Sequence, residues 1–409
     1  MRKRRGTLEA LLLALLFMAL VLGLRSTPSE PPFAPLTEAD DEEGLYLPLV
    51  ARNHHSPPPE TRLGYGVALA DLGNMELVWE LGFNWVQGFV AWADIEPQEG
   101  AGYNWANVDN IIAAARPYGM KVLLRVDRPP AWARERGTTE TGPVRAEKLD
   151  RFAAFLTALA QRGRGTIAAY EIWNEPNLAI EWGGLRPDPA YYVTMLQHAY
   201  PAIKAGDPEA LVISGGVAST GHRSNGVAMG DLLYIQRMYE AGVQGFFDAL
   251  GSQPHGFGRP PEVDPATVEN GFCFRRVEQQ RAIMEQYGDG GRQVWVTEFG
   301  WLLDPGPVCY HWGDWPTRTW QMVSEEAQAD YLVRAFQYAY DHWPWMGGMI
   351  LFNLDFGADY WQAGCPGAKT VCNPMRFYSL VDRVNPCDPE HHPIHRRPAF
   401  LALQEMPKR

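Results

Sequence analysis

The chain has 409 residues, a formal net charge of −12 and 46% hydrophobic residues. It is too apolar and too weakly charged for a disordered protein, and long enough for one large core or two ordinary ones. The acidic balance argues against nucleic-acid binding, which needs clustered Lys and Arg for phosphate contacts. No polybasic membrane patch is evident on the folded part. Fifteen Trp, 17 Tyr and 17 Phe supply flat apolar faces, which suit packed cores and stacked ligand rings alike.

The N-terminus reads as a targeting segment. Residues 1–5 are basic apart from Met1, and residues 10–24 are an unbroken apolar run. That is the form of a secretory signal. The run falls short of the roughly 20 residues that span a bilayer. No clean A-x-A site follows, so a signal peptide or a signal anchor over 1–25 is expected. Either exports the chain, to be secreted or held at the cell surface, and membrane contact is expected only through such an anchor. Residues 26–60 carry eight prolines and an acidic run at 38–43, the composition of an extended, solvated linker. Residues 45–50 form a small apolar island within it.

Residues 61–409 alternate short apolar runs with longer amphipathic ones. Strands are expected at 63–69, 84–90, 121–126, 168–173, 211–215, 247–252, 293–297 and 348–352. Their Val, Ile, Leu and aromatic content suits strands buried on both faces. Helices are expected at 105–118, 146–162, 190–205, 231–241, 277–287 and 324–342, with Pro187, Asp188 and Pro189 marking one start. Eight strands alternating with helices predict an α/β fold, a single (β/α)8 barrel. A doubly wound sheet would place a glycine-rich phosphate turn after its first strand. Gly64 and Gly66 lack the third glycine and the helix, and read as close packing. Residues 302–323 and 355–397 are long, loop-like stretches after late strands, on the face where barrel enzymes keep their sites.

All five cysteines lie late: Cys273, Cys309, Cys365, Cys372 and Cys387. An exported chain is expected to form disulfides, and an odd count leaves at least one thiol over. Cys365 and Cys372 are close enough in sequence to close a loop, but the connectivity stays open.

Two segments carry chemistry. Tyr170-Glu171-Ile172-Trp173-Asn174-Glu175-Pro176-Asn177 and Val294-Trp295-Val296-Thr297-Glu298-Phe299-Gly300-Trp301 are apolar strands that each end in a carboxylate. They end strands four and seven, three βα units apart at roughly 41 residues per unit. Their end residues can face each other across the barrel mouth. Paired carboxylates there suit glycosidic bond cleavage, in which one donates a proton and the other attacks or activates water. The donor needs a raised pKa, which its partner's charge supplies. Asn174 is placed to bond a sugar hydroxyl. Glu171 reads as pointing to the other face of its strand, in a structural role.

These segments resemble clan A retaining glycoside hydrolases. So does the run Trp92-Ala93-Asp94-Ile95-Glu96-Pro97 with Gly100, Tyr103-Asn104-Trp105 and Asp109. The resemblance covers residues 63–405. It implies that Glu175 is the general acid/base, Glu298 the nucleophile and Asn174 the 2-hydroxyl contact. Glu-Ile-Trp-Asn-Glu-Pro-Asn resembles family 39 and Glu-Phe-Gly-Trp resembles family 5. Residues 247–255 resemble the clan's strand-six end, which places His255 in the site. The clan's His-x-Tyr is His255-Gly256-Phe257 here, and Tyr310 is a candidate to replace the missing hydroxyl. Leu351-Phe352-Asn353 stands at the clan's strand-eight Trp, with Trp361 as a substitute.

Trp182 and Trp301 follow the two carboxylates and are expected to stack on sugar. Trp132 fits a rim aromatic. Arg125 suits either a ligand contact or an ion pair inside the barrel. The histidines at 391–395 read as a solvated loop, and neither metal nor organic cofactor is expected. The expected partner is a carbohydrate substrate, a plant-type or microbial oligo- or polysaccharide. The alternative is an exported carbohydrate-binding protein on a catalytically degenerate barrel, motivated by the missing Tyr and Trp.

Overall fold

The computed structural model describes residues 55–221, 226–311, 313–356, 372–383 and 394–409. The signal segment, most of the linker with its island at 45–50, Trp361, Cys365, Cys387, His391 and His392 lie outside the described residues.

The elements run β1 (Gly64–Ala68), α1 (Met75–Glu80), β2 (Trp85–Ala91), α2 (Trp92–Ile95), α3 (Ala106–Ala115), β3 (Lys121–Asp127), α4 (Leu149–Gly163), β4 (Ile167–Asn174), α5 (Pro189–Gly206), β5 (Leu211–Ala218), α6 (Asp231–Glu240), β6 (Ala249–Gln253), α7 (Arg276–Gln286), β7 (Gln293–Phe299), β8 (Leu302–Leu303), β9 (Met322–Val323), α8 (Glu325–His342), β10 (Met346–Leu351), β11 (Val381–Arg383), β12 (Ile394–Arg396) and α9 (Pro398–Glu405). Eight strands close a parallel barrel in the order β1-β10-β7-β6-β5-β4-β3-β2. The expected (β/α)8 barrel is therefore present, with β10 as its eighth strand.

Alternation along each strand builds two cores. Ala68, Trp85, Leu123, Ala169, Ile213, Ala249, Trp295 and Ile350 fill the barrel interior, one from each strand. Trp85 and Trp295 meet edge to face there, with ring centroids 4.7 Å apart. Neighbouring residues such as Val86, Val122, Leu124, Val212, Leu250 and Val294 point outward and bury the apolar stripes of the helices. Helix starts are capped where the sequence supplies a short polar side chain. Asp188 accepts from the Tyr191 amide at 3.0 Å, and Ser324 accepts from the Ala327 amide at 3.2 Å.

The composition of residues 55–60 suggested linker, yet they lie on the barrel. His55 stacks on Tyr118 at 4.4 Å, and the Ser56 carbonyl accepts from Trp79 Nε1. The excursion at 302–323 is also more ordered than a loop. Its ends pair as β8 and β9, through Leu302 with Met322 and Leu303 with Val323. A disulfide joins Cys309 to Cys372, which rules out the short Cys365–Cys372 loop. Sequence proximity does not decide pairing. β7 and β10 are adjacent in the barrel, so the excursions that follow them meet in space. Cys273 is a buried free thiol.

Candidate active site

β4 delivers two consecutive side chains to the barrel mouth because its alternation breaks. Ala169 lies inside the barrel and Ile172 outside. Trp173 has φ +81°. Its indole also packs outside, edge-on to Trp182, and donates from Nε1 to the Glu181 carbonyl at 2.8 Å. Asn174 and Glu175 then both turn inward, Glu175 with φ +36°. β7 does the same by another device. Its register with β10 shifts between Met349 and Leu351, which pair with Val296 and Phe299. Val296 and Phe299 both face outward, and the two residues between them include Glu298.

Glu175 and Glu298 are both buried. Arg125 on β3 distinguishes them. Its Nη1 donates to Glu298 Oε1 at 2.6 Å and to Asn174 Oδ1 at 2.9 Å. Gln253 Nε2 donates to the same Asn174 oxygen at 3.0 Å. Asn174 is thus held by its acceptor end. Arg125 was expected as a ligand contact or an ion pair, and it is an ion pair. Glu175 has no cation within 4 Å among the described residues, and its Oε2 has no hydrogen-bond partner among them.

The electrostatics follow. Burial pushes Glu175 well above the usual carboxylate range, and the Glu298 and Glu181 charges push it further. Burial also pushes Glu298 up, to about 8, but the Arg125 guanidinium opposes it. A single proton on the pair therefore rests on Glu175, and the contacted carboxylate of Glu298 carries the charge.

Glu171 corrects an expectation. It does not point away from the site. It pairs in register with Arg125 of β3 and Ile213 of β5, inside the barrel. Gln87 Nε2 and the Gly216 amide donate to its carboxyl at 3.0 Å each. Burial raises it to about 7 against the Arg125 charge. Residues 171 and 175 are four apart, so alternation itself puts Glu171 on the inward face with Ala169 and Glu175, and the break at Trp173 is what adds Asn174 to that face.

His255 lies where expected. It lines a cavity that opens to solvent, together with Glu175, Gln253, Phe257, Phe352 and Tyr378. Burial pushes its imidazole down to about 4, against a hydrogen bond to the Gly300 backbone, so the ring is neutral. Its Nδ1 has no partner among the described residues. Phe352 brings an aromatic to the cavity where the clan has Trp.

Three aromatic assignments change. Trp301 is fully buried. It lies beneath Gly256, where a Cβ would come within 1.9 Å of the indole, and its Nε1 donates to the Arg259 carbonyl at 2.7 Å. Trp182 is buried against Trp173 and Tyr192. Neither offers a face to a sugar. Tyr310 bonds the Asp304 carboxylate at 2.7 Å, in the loop rather than in the site. Tyr378 stands in the cavity instead. Burial, opposed by the Arg318 guanidinium and joined by the Glu298 charge, pushes its phenol up to about 12. It follows β10, far in sequence from the strand-six motif, so no local pattern pointed to it.

Glu181 was also missed. It is buried in the turn after the acid-bearing strand. Burial raises it to about 7 against the Arg128 charge, and Asn174 bonds its carboxyl. Among the described residues, no three His, Cys, Asp or Glu side chains cluster as a metal site.

A family model described as Cellulase (glycosyl hydrolase family 5) matches residues 73–304, more than half of the chain. The chain belongs to glycosyl hydrolase family 5. Both carboxylate segments lie within that match, which resolves the earlier split between families 5 and 39. None of the curated proteins matches. Among solved structures, this family 5 chain is similar to a family 39 glycoside hydrolase from Bacteroides cellulosilyticus WH2. The TM-score is 0.58 at 21% identity, over 84% of this chain and 63% of that one. It thus spans less than two thirds of that relative's length. A monomeric beta-xylosidase from Caulobacter crescentus CB15 aligns with a TM-score of 0.55 at 17% identity, over 86% of this chain and 69% of that one. Xylanase B from Clostridium stercorarium F9 aligns with 0.51 at 18%, over 84% and 97%. At these identities the likeness is one of fold, the same barrel that the strand order gives.

Proposed function

We propose that the protein is a retaining O-glycoside hydrolase acting on a plant-type or microbial oligo- or polysaccharide. The observation that carries this reading is the asymmetry of the carboxylate pair. Glu298 is held by Arg125 and is the first of the two to ionise, while Glu175 has no cation in contact and holds its proton longer.

In the first step the Glu298 carboxylate attacks the anomeric carbon. The bond to the leaving oxygen breaks as Glu175 gives that oxygen its proton. In the second step Glu175, now a carboxylate, takes a proton from water, and the water oxygen attacks from the face the leaving group vacated, opposite the ester bond to Glu298 that breaks. Arg125 and Gln253 fix the Asn174 amide by its oxygen, which leaves an N–H of its Nδ2 for a sugar hydroxyl beside the reacting carbon. Tyr378 brings a phenol into the cavity beside Glu175, within reach of the Glu298 charge, where the strand-six motif has no Tyr. A phenol there favours the catalytic reading over a binding-only barrel, which the missing strand-six Tyr had suggested.

Export fits the same reading. It is supported by the basic and apolar N-terminal segments and by the Cys309–Cys372 disulfide.

The test is the hydrolysis of xylan, β-glucan and mannan oligomers, with the anomer first released followed by NMR. Retention of configuration is expected. Release of the inverted anomer rejects the double displacement. Binding to these oligomers without turnover at any pH from 4 to 9 rejects the enzyme.

A further inference from the structure

Trp182 and Trp301 are buried, so neither tryptophan beside the two carboxylates in sequence offers a face to sugar. One exposed tryptophan occurs among the described residues, Trp320, with 45% of its surface free. It belongs to the excursion between β8 and β9, and the structure braces that excursion firmly. The Cys309–Cys372 disulfide ties it to the segment after β10. Trp315 is buried, donates from Nε1 to the Cys372 carbonyl at 2.7 Å and meets Phe377 edge-on. Arg318 is buried and paired with Asp314. The stretch that reaches Trp320 is therefore pinned on both sides.

The Trp320 ring lies flat on Phe257, with centroids 5.3 Å apart and planes 16° from parallel, and Phe272 packs beside them at 5.9 Å. Phe257 and the next residue in the chain, Gln321, line the same cavity as Glu175 and His255. One face of Trp320 is thus backed by the cavity wall, and the exposure belongs to the rest of the ring. Glu298 is not among the residues lining that cavity, whereas Glu175 is. The cavity thus lies on Glu175's side of the pair. A leaving group takes its proton from that side, which directs it toward the wall formed by Phe257. Glu175 Oε2, Gln253 Oε1 and His255 Nδ1 are buried there without partners among the described residues, a set that suits hydroxyl groups.

We propose that Trp320, backed by Phe257, is the stacking platform for the leaving-group sugar, an inference that rests on the hydrolase reading above. A pyranose ring presents an apolar C–H face to an indole and hydroxyl groups at its edge. Here Gln321, next in the chain, brings an amide to the same cavity wall. The platform sits on an excursion outside the barrel strands, so it makes Trp320 a determinant of how far a chain must extend beyond the cleaved bond.

Two readouts test this. First, binding of β-1,4-linked xylo-, gluco- and mannotetraose is measured by calorimetry on the full chain carrying Glu298→Gln. Adding Trp320→Ala should weaken the best ligand by about 10- to 100-fold, and Trp320→Phe should recover much of that affinity. Second, kcat/KM is measured on the tetraoses and on the matching glycosyl fluorides, whose leaving group is too small to reach Trp320. The tetraose-to-fluoride ratio should fall by a similar factor in Trp320→Ala, whereas a merely structural defect lowers both rates together. Absence of tetraose binding, or unchanged affinity and ratio in Trp320→Ala, overturns the platform. Fluoride turnover with that negative result leaves the hydrolase reading standing. Trp320-dependent tetraose binding without any turnover removes the hydrolase reading and keeps a sugar platform.

Discussion

Arg125 Nη1 lies 2.6 Å from Glu298 Oε1, and among the described residues no cation approaches Glu175 within 4 Å. Of two buried carboxylates of the same residue type, the one without the cation is thereby the stronger holder of a proton. Roles follow from that contact, and so does the first prediction. Glu298→Ala should cut kcat by at least about 10³-fold, the scale on which removal of a covalent nucleophile acts. Azide should restore part of the rate and yield a glycosyl azide of inverted configuration, read by NMR. Recovery of a product with retained configuration would assign the nucleophile elsewhere.

Arg125→Met should move the pH profile in a defined direction. Removing the cation disfavours the charged form of Glu298, so its pKa rises further. The ionised nucleophile is then lost at higher pH, and the acid limb of kcat/KM shifts upward by about one unit or more. The alkaline limb belongs to loss of the Glu175 proton and should move less. A uniform fall in rate with unmoved limbs would mean that Arg125 only holds structure.

Glu181 offers a test of stability against pH. In the fold its carboxyl is pushed up to about 7, against about 4.3 in an unfolded chain. Between those values the native state binds more protons. Its contribution is complete below pH 4.3 and is lost as pH rises through 7. Glu181→Gln removes that dependence. Its melting temperature should exceed wild type by a few degrees at pH 8 and should not exceed it at pH 4.5. Calorimetric scans at both pH values decide it.

Cys309→Ser should destabilise the chain by about 2–4 kcal/mol, the usual worth of a native disulfide. Non-reducing peptide mapping of the wild type should recover one peptide pair joining the segments of Cys309 and Cys372. Cys273 should resist alkylation in the native state, because burial raises its thiol to about 11.

Trp301→Ala should cost about 3–5 kcal/mol in chemical denaturation, as expected for emptying a packed aromatic site. Whatever folded fraction remains should bind oligosaccharide normally. A stable Trp301→Ala protein with lost sugar affinity would restore the stacking role that burial denies it.

The barrel was legible because each buried strand announces itself as a short Val-, Ile- and Leu-rich run. All eight expected runs overlap barrel strands. Glu175 and Glu298 were legible because each closes an aromatic-rich apolar run and the two stand three units apart. What failed were inferences about direction and distance. Glu171 was misplaced although its even spacing from Glu175 puts both on one face; what alternation could not show is that Asn174 joins them, since the positive φ at Trp173 leaves no sign in the sequence. Trp182 and Trp301 were misread because nearness to a site carboxylate in sequence does not fix exposure. Trp301 packs under Gly256 from another strand's loop. Tyr378 and the Cys309–Cys372 pair escaped notice because each depends on two excursions meeting in space. The short helices α1, α2 and α9 carry too few turns for periodicity to register.

Gly216 illustrates a different kind of constraint. Its amide donates to Glu171 at 3.0 Å, and its carbonyl accepts from the Glu175 amide at 3.1 Å. A Cβ there would come within 2.3 Å of Thr297 Oγ1. The wall behind the acid is main chain, and main chain offers mutation no alphabet. Natural drift and laboratory evolution alike can rewrite what this barrel accepts only from its rim, by lengthening, shortening or redecorating the excursions. The floor beneath them is inherited whole or lost.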